Sequence, residues 1–328
     1  MKRIAYTFLK VALSLLLAAG ILWWMYRGIE WRQVAEALLS EMRWGWMLLS
    51  LPFGVAAQVL RALRWRQALE PLGERPRRSV CTNAVFLSYA SSLVVPRIGE
   101  LLRCGVLRRW EGTSLPHSVG TVVTERVVDM LIMLLLSAVT ILSQIPVFAR
   151  FVSTTGLSLS TILGGFSRAG YLVTAVCALL ALGVAVYFCR RFRLLRGAHK
   201  AWRNLLDGLL SIRRIRGKTL FIAYSLGIWA AYFLHFWLTF YCFASTESLG
   251  LGAALVAFVV GTYAVLVPTP NGAGAWHFAV KTVLMLYGVA QAEGAMFVLI
   301  VHSIQTLLVV ALGIYALIAL LCITKHPQ

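Results

Sequence analysis

Long apolar runs separated by short polar segments set the pattern of this chain. Residues 4–25 form one such run, and about 20 apolar residues suffice to cross a bilayer as a helix. Residues 44–60, 124–142, 169–189, 220–243 and 295–323 read as further spans. Residues 30–43 differ. Trp31, Val34, Ala35, Leu38, Leu39 and Met42 recur at helical spacing with charges between them. That predicts an amphipathic helix lying in the membrane interface. Trp31, Trp44 and Trp46 stand where an aromatic belt would. The basic start, Met1-Lys2-Arg3, resembles a signal peptide with Ala18-Ala19-Gly20 as cleavage site. The run continues through Trp23, Trp24 and Met25, so an uncleaved first helix is expected.

Two runs are interrupted. Residues 80–95 are slightly short for a crossing and end in Pro96-Arg97-Ile98-Gly99-Glu100-Leu101-Leu102-Arg103, after which apolar character resumes to residue 107. Residues 251–267 end in Pro268-Thr269-Pro270-Asn271-Gly272-Ala273-Gly274, and residues 276–289 resume. Reversal of the chain at mid-depth accounts for both. Charge at that depth is costly, so the first break reads as a functional site facing a bundle interior or cavity. The alternative is an ordinary surface loop with basic residues.

Composition fixes the class. Of 328 residues, 60% are hydrophobic and 13% charged, with a mean hydropathy of +0.80. A soluble domain carries about twice that charge fraction. The net charge of +19 therefore marks loops beside anionic headgroups rather than nucleic-acid binding. Basic residues gather at Arg61, Arg64, Arg66, Arg75, Arg77 and Arg78, and again over residues 190–218, where Trp202, Leu205, Leu206, Leu209, Leu210 and Ile212 predict a second amphipathic helix. Residues 145–167 carry little charge. With the N-terminus in the cytoplasm and each broken pair dipping in and returning, every strongly basic loop and the tail at Lys325 fall on the cytoplasmic side. The first dip then enters from the cytoplasm and the second from outside.

The expected fold is thus an all-α polytopic transmembrane helix bundle in one integral membrane domain. It is an inverted-topology repeat, with halves over about 1–145 and 169–323 and a re-entrant broken helix pair in each. Paired interruptions of this kind point to a transport site near the midplane, where irregular backbone must be buried or line a cavity.

The chemistry at the breaks suits an anion. Arg97 and Arg103 can bind phosphate oxygens in the bidentate manner of guanidinium groups. Helix N-termini add unpaired N–H groups. Glu125 and Asp129 are four residues apart and share a helix face. With Glu100 they would balance Arg97, Arg103 and Arg126 in the empty state. Alternatively, these six charges only pair with one another and lock the helices. At the second break, Gly272 and Gly274 allow close backbone approach, and Lys281 is a second candidate anion contact. His277 is either a polar site group or a packing histidine with a satisfied hydrogen bond. His235 and His302 read as structural. The six cysteines form no CxxC pair and have no neighbouring histidine, so they read as small apolar fillers. No metal or other cofactor is expected.

Pro96-Arg97-Ile98-Gly99-Glu100 with Arg103, then Glu125-Arg126 with Asp129, resembles the first signature of the lysylphosphatidylglycerol synthase transmembrane region family. The stretch from Pro268 to Gly274, with Tyr287-Gly288, resembles its second. The resemblance covers essentially the whole chain and implies a flippase-like membrane domain. It also implies departures. The second signature usually reads Pro-x-Pro-Gly-Gly-x-Gly with an acidic residue three positions on, whereas here Asn271 replaces a glycine and His277 replaces the acid. A lipid recognised through its amine is therefore not expected. The family's soluble aminoacyl-transferring domain is not among these residues, so synthase activity is not expected either.

The resulting expectation is a translocator of anionic or phosphate-linked lipid in the cytoplasmic membrane. The site set is Arg97, Glu100, Arg103, Glu125, Arg126, Asp129, Pro268, Pro270, Asn271, Gly272, Gly274, His277 and Lys281. The rivals are an all-membrane transferase using Glu125 and Asp129 on a lipid-linked sugar, and a non-transporting partner of a lipid-modifying enzyme. A homodimer is a further possibility for its assembly.

Overall fold

The computed structural model describes residues 16, 19–23, 25–27, 31–145, 215–267 and 269–324. The expected span 169–189, most of the basic stretch 190–218, the loop from 146 and Pro268 lie outside the described residues. Among the described residues the chain is helical with no strand. Four helices are long and apolar enough to cross a membrane. The protein is an all-α polytopic membrane protein.

α1 (Trp31–Glu36) continues into a π-turn over Ala37–Glu41, within the expected amphipathic segment. α2 (Trp44–Leu69) follows and stops where Pro71 and the left-handed Gly73 end the helix. The apolar pattern placed its end near residue 60 and put Arg61, Arg64 and Arg66 in a loop. The helix instead runs on to Leu69, because Ala62, Trp65, Ala68 and Leu69 keep a buried helical face.

α3 (Arg78–Ser92) and α4 (Ile98–Glu111) form the first hairpin. At a rise of about 1.5 Å per residue, each is about 20 Å long, short of the roughly 30 Å hydrocarbon core. Glu100 in the first turn of α4 and Arg108 and Arg109 in its last turn match the helix dipole. α5 (Leu115–Ser143) begins with Pro116 in its first turn and is longer than the span read from residue 124.

α6 (Lys218–Trp237) packs along α2. Gly54 makes that possible, since a Cβ there would meet the His235 ring at 2.9 Å. His235 Nδ1 donates to the Ser50 carbonyl at 2.8 Å. A short α7 (Ala244–Glu247) leads to the second hairpin, α8 (Leu251–Ala264) and α9 (Ala275–Leu286), both again shorter than a span. α10 (Gln291–Cys322) closes the described chain and packs along α3 and α9.

Two large apolar cores and a small third one, around Ala68, Ile215 and Phe221, result among the described residues. One gathers Trp65, Leu69, Val80, Val85, Leu107 and Leu320 around the first hairpin. The other, rich in aromatic rings, joins Phe236, Phe240, Trp276 and Phe297 around the second. The outward faces of α5 and α10 expose Met130, Leu131, Leu134, Leu307, Ile314 and Leu321, as lipid-facing helices must.

Candidate functional site

The first break collects charge from three helices. α5 turns Glu125 and Asp129 inward, at 0% and 6% exposure. α2 presents Arg61 and Arg64, at 5% and 0%, and α4 presents Arg103 at 2%. Arg61 Nη1 donates to Asp129 Oδ2 at 2.7 Å, and Arg64 Nη2 to Asp129 Oδ1 at 2.8 Å. Arg103 Nη2 donates to Glu125 Oε2 at 2.7 Å, while Arg64 Nε lies 3.5 Å from Glu125 Oε1. Aromatic faces hold the guanidinium planes: Arg103 stands 4.5 Å over Trp65, and Arg61 5.9 Å over Tyr232. Trp65 is fixed in turn by donating to Thr121 Oγ1 at 3.0 Å.

Above this buried layer lies a more open one. Arg126, exposed, reaches Glu100 Oε1 at 3.4 Å and Asp129 Oδ2 at 3.1 Å. Four guanidinium groups (Arg61, Arg64, Arg103, Arg126) thus face three carboxylates (Glu100, Glu125, Asp129), leaving one positive charge in excess. The Nε atoms of Arg61, Arg64 and Arg103 carry no hydrogen bond among the described residues. Glu125 Oε2 accepts from Arg103, while Oε1 accepts no hydrogen bond among the described residues and has Arg64 Nε 3.5 Å away.

Arg97 stands apart. It is exposed, adopts a left-handed backbone (φ 64°), and donates Nη2 to the Leu266 carbonyl at 2.9 Å. That bond ties the first break to the second. There Asn271, also left-handed (φ 52°), follows Pro270 as Arg97 follows Pro96. Asn tolerates this conformation better than most residues, which explains how it stands where the family signature has glycine.

Pro270, Gly272 and Gly274 are buried at this break. Asn271 Nδ2 donates to Thr306 Oγ1 at 3.0 Å. The Gly274 N–H donates to His277 Nδ1 at 3.2 Å. Lys281 is 6% exposed and makes no ion pair among the described residues. His302, read as structural, in fact joins this break: its Nε2 lies 3.2 Å from the Asn271 carbonyl, and its ring centroid is 4.4 Å from that of His277.

The structure therefore brings Glu100, Arg103, Glu125, Arg126 and Asp129 together, and separately Asn271 and His277. Arg61 and Arg64 escaped the sequence reading. Their signal was a spacing of three, interleaved with Ala57, Trp65 and Ala68 on one helical face. Among the described residues no three His, Cys, Asp or Glu side chains gather as metal ligands would.

Two pairs of short helices, with arginines and carboxylates gathered beside the first, belong here to an all-α polytopic membrane protein. A family model described as "Lysylphosphatidylglycerol synthase TM region" matches residues 11–313, and the chain belongs to that family. It is similar to the protein named "Glycosyltransferase AglD" of Haloferax volcanii, with 33% identity over 78 residues. Those residues are 24% of this chain and 12% of that protein, so the likeness spans a small part of it. No solved structure matches the chain.

Proposed function

We propose that this protein moves an anionic, phosphate-bearing lipid between the leaflets of the cytoplasmic membrane, with both termini in the cytoplasm. The carrying observation is the positive charge in excess at the first break, beside three buried Nε donors. A buried guanidinium without a full complement of acceptors is costly in a membrane, and a phosphate monoester or diester supplies those acceptors. Arg126 and Arg97, the exposed arginines, receive the headgroup, and the buried pairs hold the site open. Gly272 and Gly274 let the opposing loop close over it, and Lys281 is a second contact. The two halves act as an inverted repeat around this site.

The lipid's chain has a place too. An apolar cavity of about 320 Å³ lies between α5 and α6, lined by Val128, Ile132, Phe221, Ile222 and Ser225. Ser225 accepts from Arg64 Nη1 at 3.3 Å, so the cavity adjoins the charge cluster.

Exchange of fluorescent phosphatidylglycerol in proteoliposomes, read with a membrane-impermeant quencher, tests this. Arg97→Ala/Arg126→Ala removes two exposed residues and is expected to abolish exchange while the protein still folds, checked by its elution and helical content in detergent. Full exchange by that variant overturns the site.

The likeness to a protein named as a glycosyltransferase favours a second reading, action on a lipid-linked sugar. A covalently altered lipid formed by the purified protein, and lost in Glu125→Gln, would establish a transferase. A partner that does not itself transport would show neither activity alone and gain one with its enzyme.

A further inference from the structure

The second break holds a pair of imidazoles with no carboxylate to balance them. The His277 and His302 rings lie 4.4 Å apart, inclined at 60°. His277 Nδ1 accepts the Gly274 N–H, which places the proton of the neutral ring on Nε2. His302 Nε2 lies 3.2 Å from the Asn271 carbonyl, which can only accept, and 3.5 Å from Asn271 Nδ2; the shorter contact favours a neutral ring that also carries its proton on Nε2. His302 Nδ1 is left as a vacant acceptor among the described residues. It is the one position in the pair that takes a proton without breaking a bond.

The groups around the pair set the fate of a proton bound there. The titratable and charged neighbours are Tyr26, whose ring meets His277 edge-on at 5.9 Å, Lys281 one turn along α9, and Arg97 at the Leu266 carbonyl. α6 presents Phe236 toward the adjoining Trp276, and Phe258 of α8 packs on Phe236, so neither helix brings charge there. None of the ion pairs formed by described carboxylates reaches this group. The N-terminus of α9 adds a positive dipole end. A proton on His302 would therefore stand beside other positive charge and needs an incoming anion. Conversely, an anion at this break makes the proton easier to hold. Two ligands that each favour the other are coupled reciprocally.

We propose that His302, paired with His277, is a proton-binding site that couples lipid movement to proton uptake: one proton enters with each anionic headgroup, so that a neutral combination crosses. The inference rests on the translocation reading and supplies it with an energy source. The proton comes from the aqueous phase on the loading side, binds His302 Nδ1, and leaves from the same nitrogen on the other side.

The experiment measures phosphatidylglycerol exchange in proteoliposomes at about pH 5.5 and about pH 7.5, bracketing the ordinary histidine range. Intact protein is expected to exchange about fivefold faster at the lower pH, a modest coupling. In His302→Gln the amide still donates to the Asn271 carbonyl but takes no proton, and the ratio should fall to about one. An unchanged ratio in His302→Gln overturns the proposal. Absence of exchange by the intact protein at both pH values overturns the translocation reading instead. The proton site is then decided by nitrogen-15 NMR of labelled histidine in nanodiscs of phosphatidylglycerol, which supply the anion. The chain has six histidines, and His302→Gln and His277→Asn assign the pair. The His302 signal should pass from the neutral to the cationic range as pH falls, with His277 moving in step. A His302 signal that stays neutral down to about pH 4.5 overturns the proposal.

Discussion

The two breaks share a backbone device and differ in everything around it. Each places a non-glycine residue with positive φ directly after a proline, Arg97 in one and Asn271 in the other. Around the first, four arginines and three carboxylates are locked into ion pairs. Around the second, amide, hydroxyl and imidazole groups are joined by neutral hydrogen bonds. The same turn can thus carry a rigid charged lattice or an adaptable neutral one. The side chains on the helices behind it decide which.

The largest expected effects separate the two on stability. Asp129→Ala leaves Arg61 and Arg64 buried without their shared acceptor and should cost about 3–5 kcal/mol, the usual penalty for breaking a buried pair. Asn271→Ala removes a bond to Thr306 and puts alanine at φ 52°, and should cost about 2 kcal/mol. Unfolding in detergent, driven by denaturant or heat, checks both. Equal losses would break the comparison.

Next comes Gly99→Ala. A Cβ there would run into the Ser88 carbonyl oxygen and lie 2.6 Å from Ser92 Oγ. The hairpin must open to admit it, at about 2–3 kcal/mol. In Gly272→Ala the added methyl meets Val265, 3.0 Å from its Cγ2, and the φ of +72° adds backbone strain of about 1–2 kcal/mol. The same unfolding assay should rank Gly99→Ala at or above Gly272→Ala.

A smaller test concerns the left-handed residues themselves. Arg97→Gly relieves about 1 kcal/mol of strain and loses the bond to Leu266, so stability should hardly change while lipid exchange falls. The smallest effect belongs to the exposed Arg43–Glu247 pair, 2.7 Å apart outside both breaks. Glu247→Gln should leave both stability and exchange unchanged, since exposed pairs contribute little.

The sequence made the breaks legible because Pro, Gly and charge inside apolar runs conflict openly with a continuous helix. Glu125 and Asp129 were legible for a similar reason: their spacing of four fixes a shared face whatever else packs there. Arg61 and Arg64 were not. Three acids already balanced the three arginines visible near the first break, and two more at the end of a span look like the usual basic loop. Only tertiary packing, with α4 and α5 laid across the last turns of α2, turns them inward. His302 was missed because a lone histidine in an apolar run takes its meaning from the neighbouring helix, and α10 returns along α9 to meet His277.

Gly313 has a mechanical consequence. Where α10 crosses α3, a side chain at Gly313 would collide with the Ala90 methyl group. Gly99 closes the α3–α4 hairpin with equal tightness. These three helices therefore interlock without slack and form the fixed frame of the molecule, its stator. On the translocation reading proposed above, opening the arginine cluster to one side and then the other falls to parts that slide against that frame. On that reading the bond from Arg97 to Leu266 is a latch between frame and moving part.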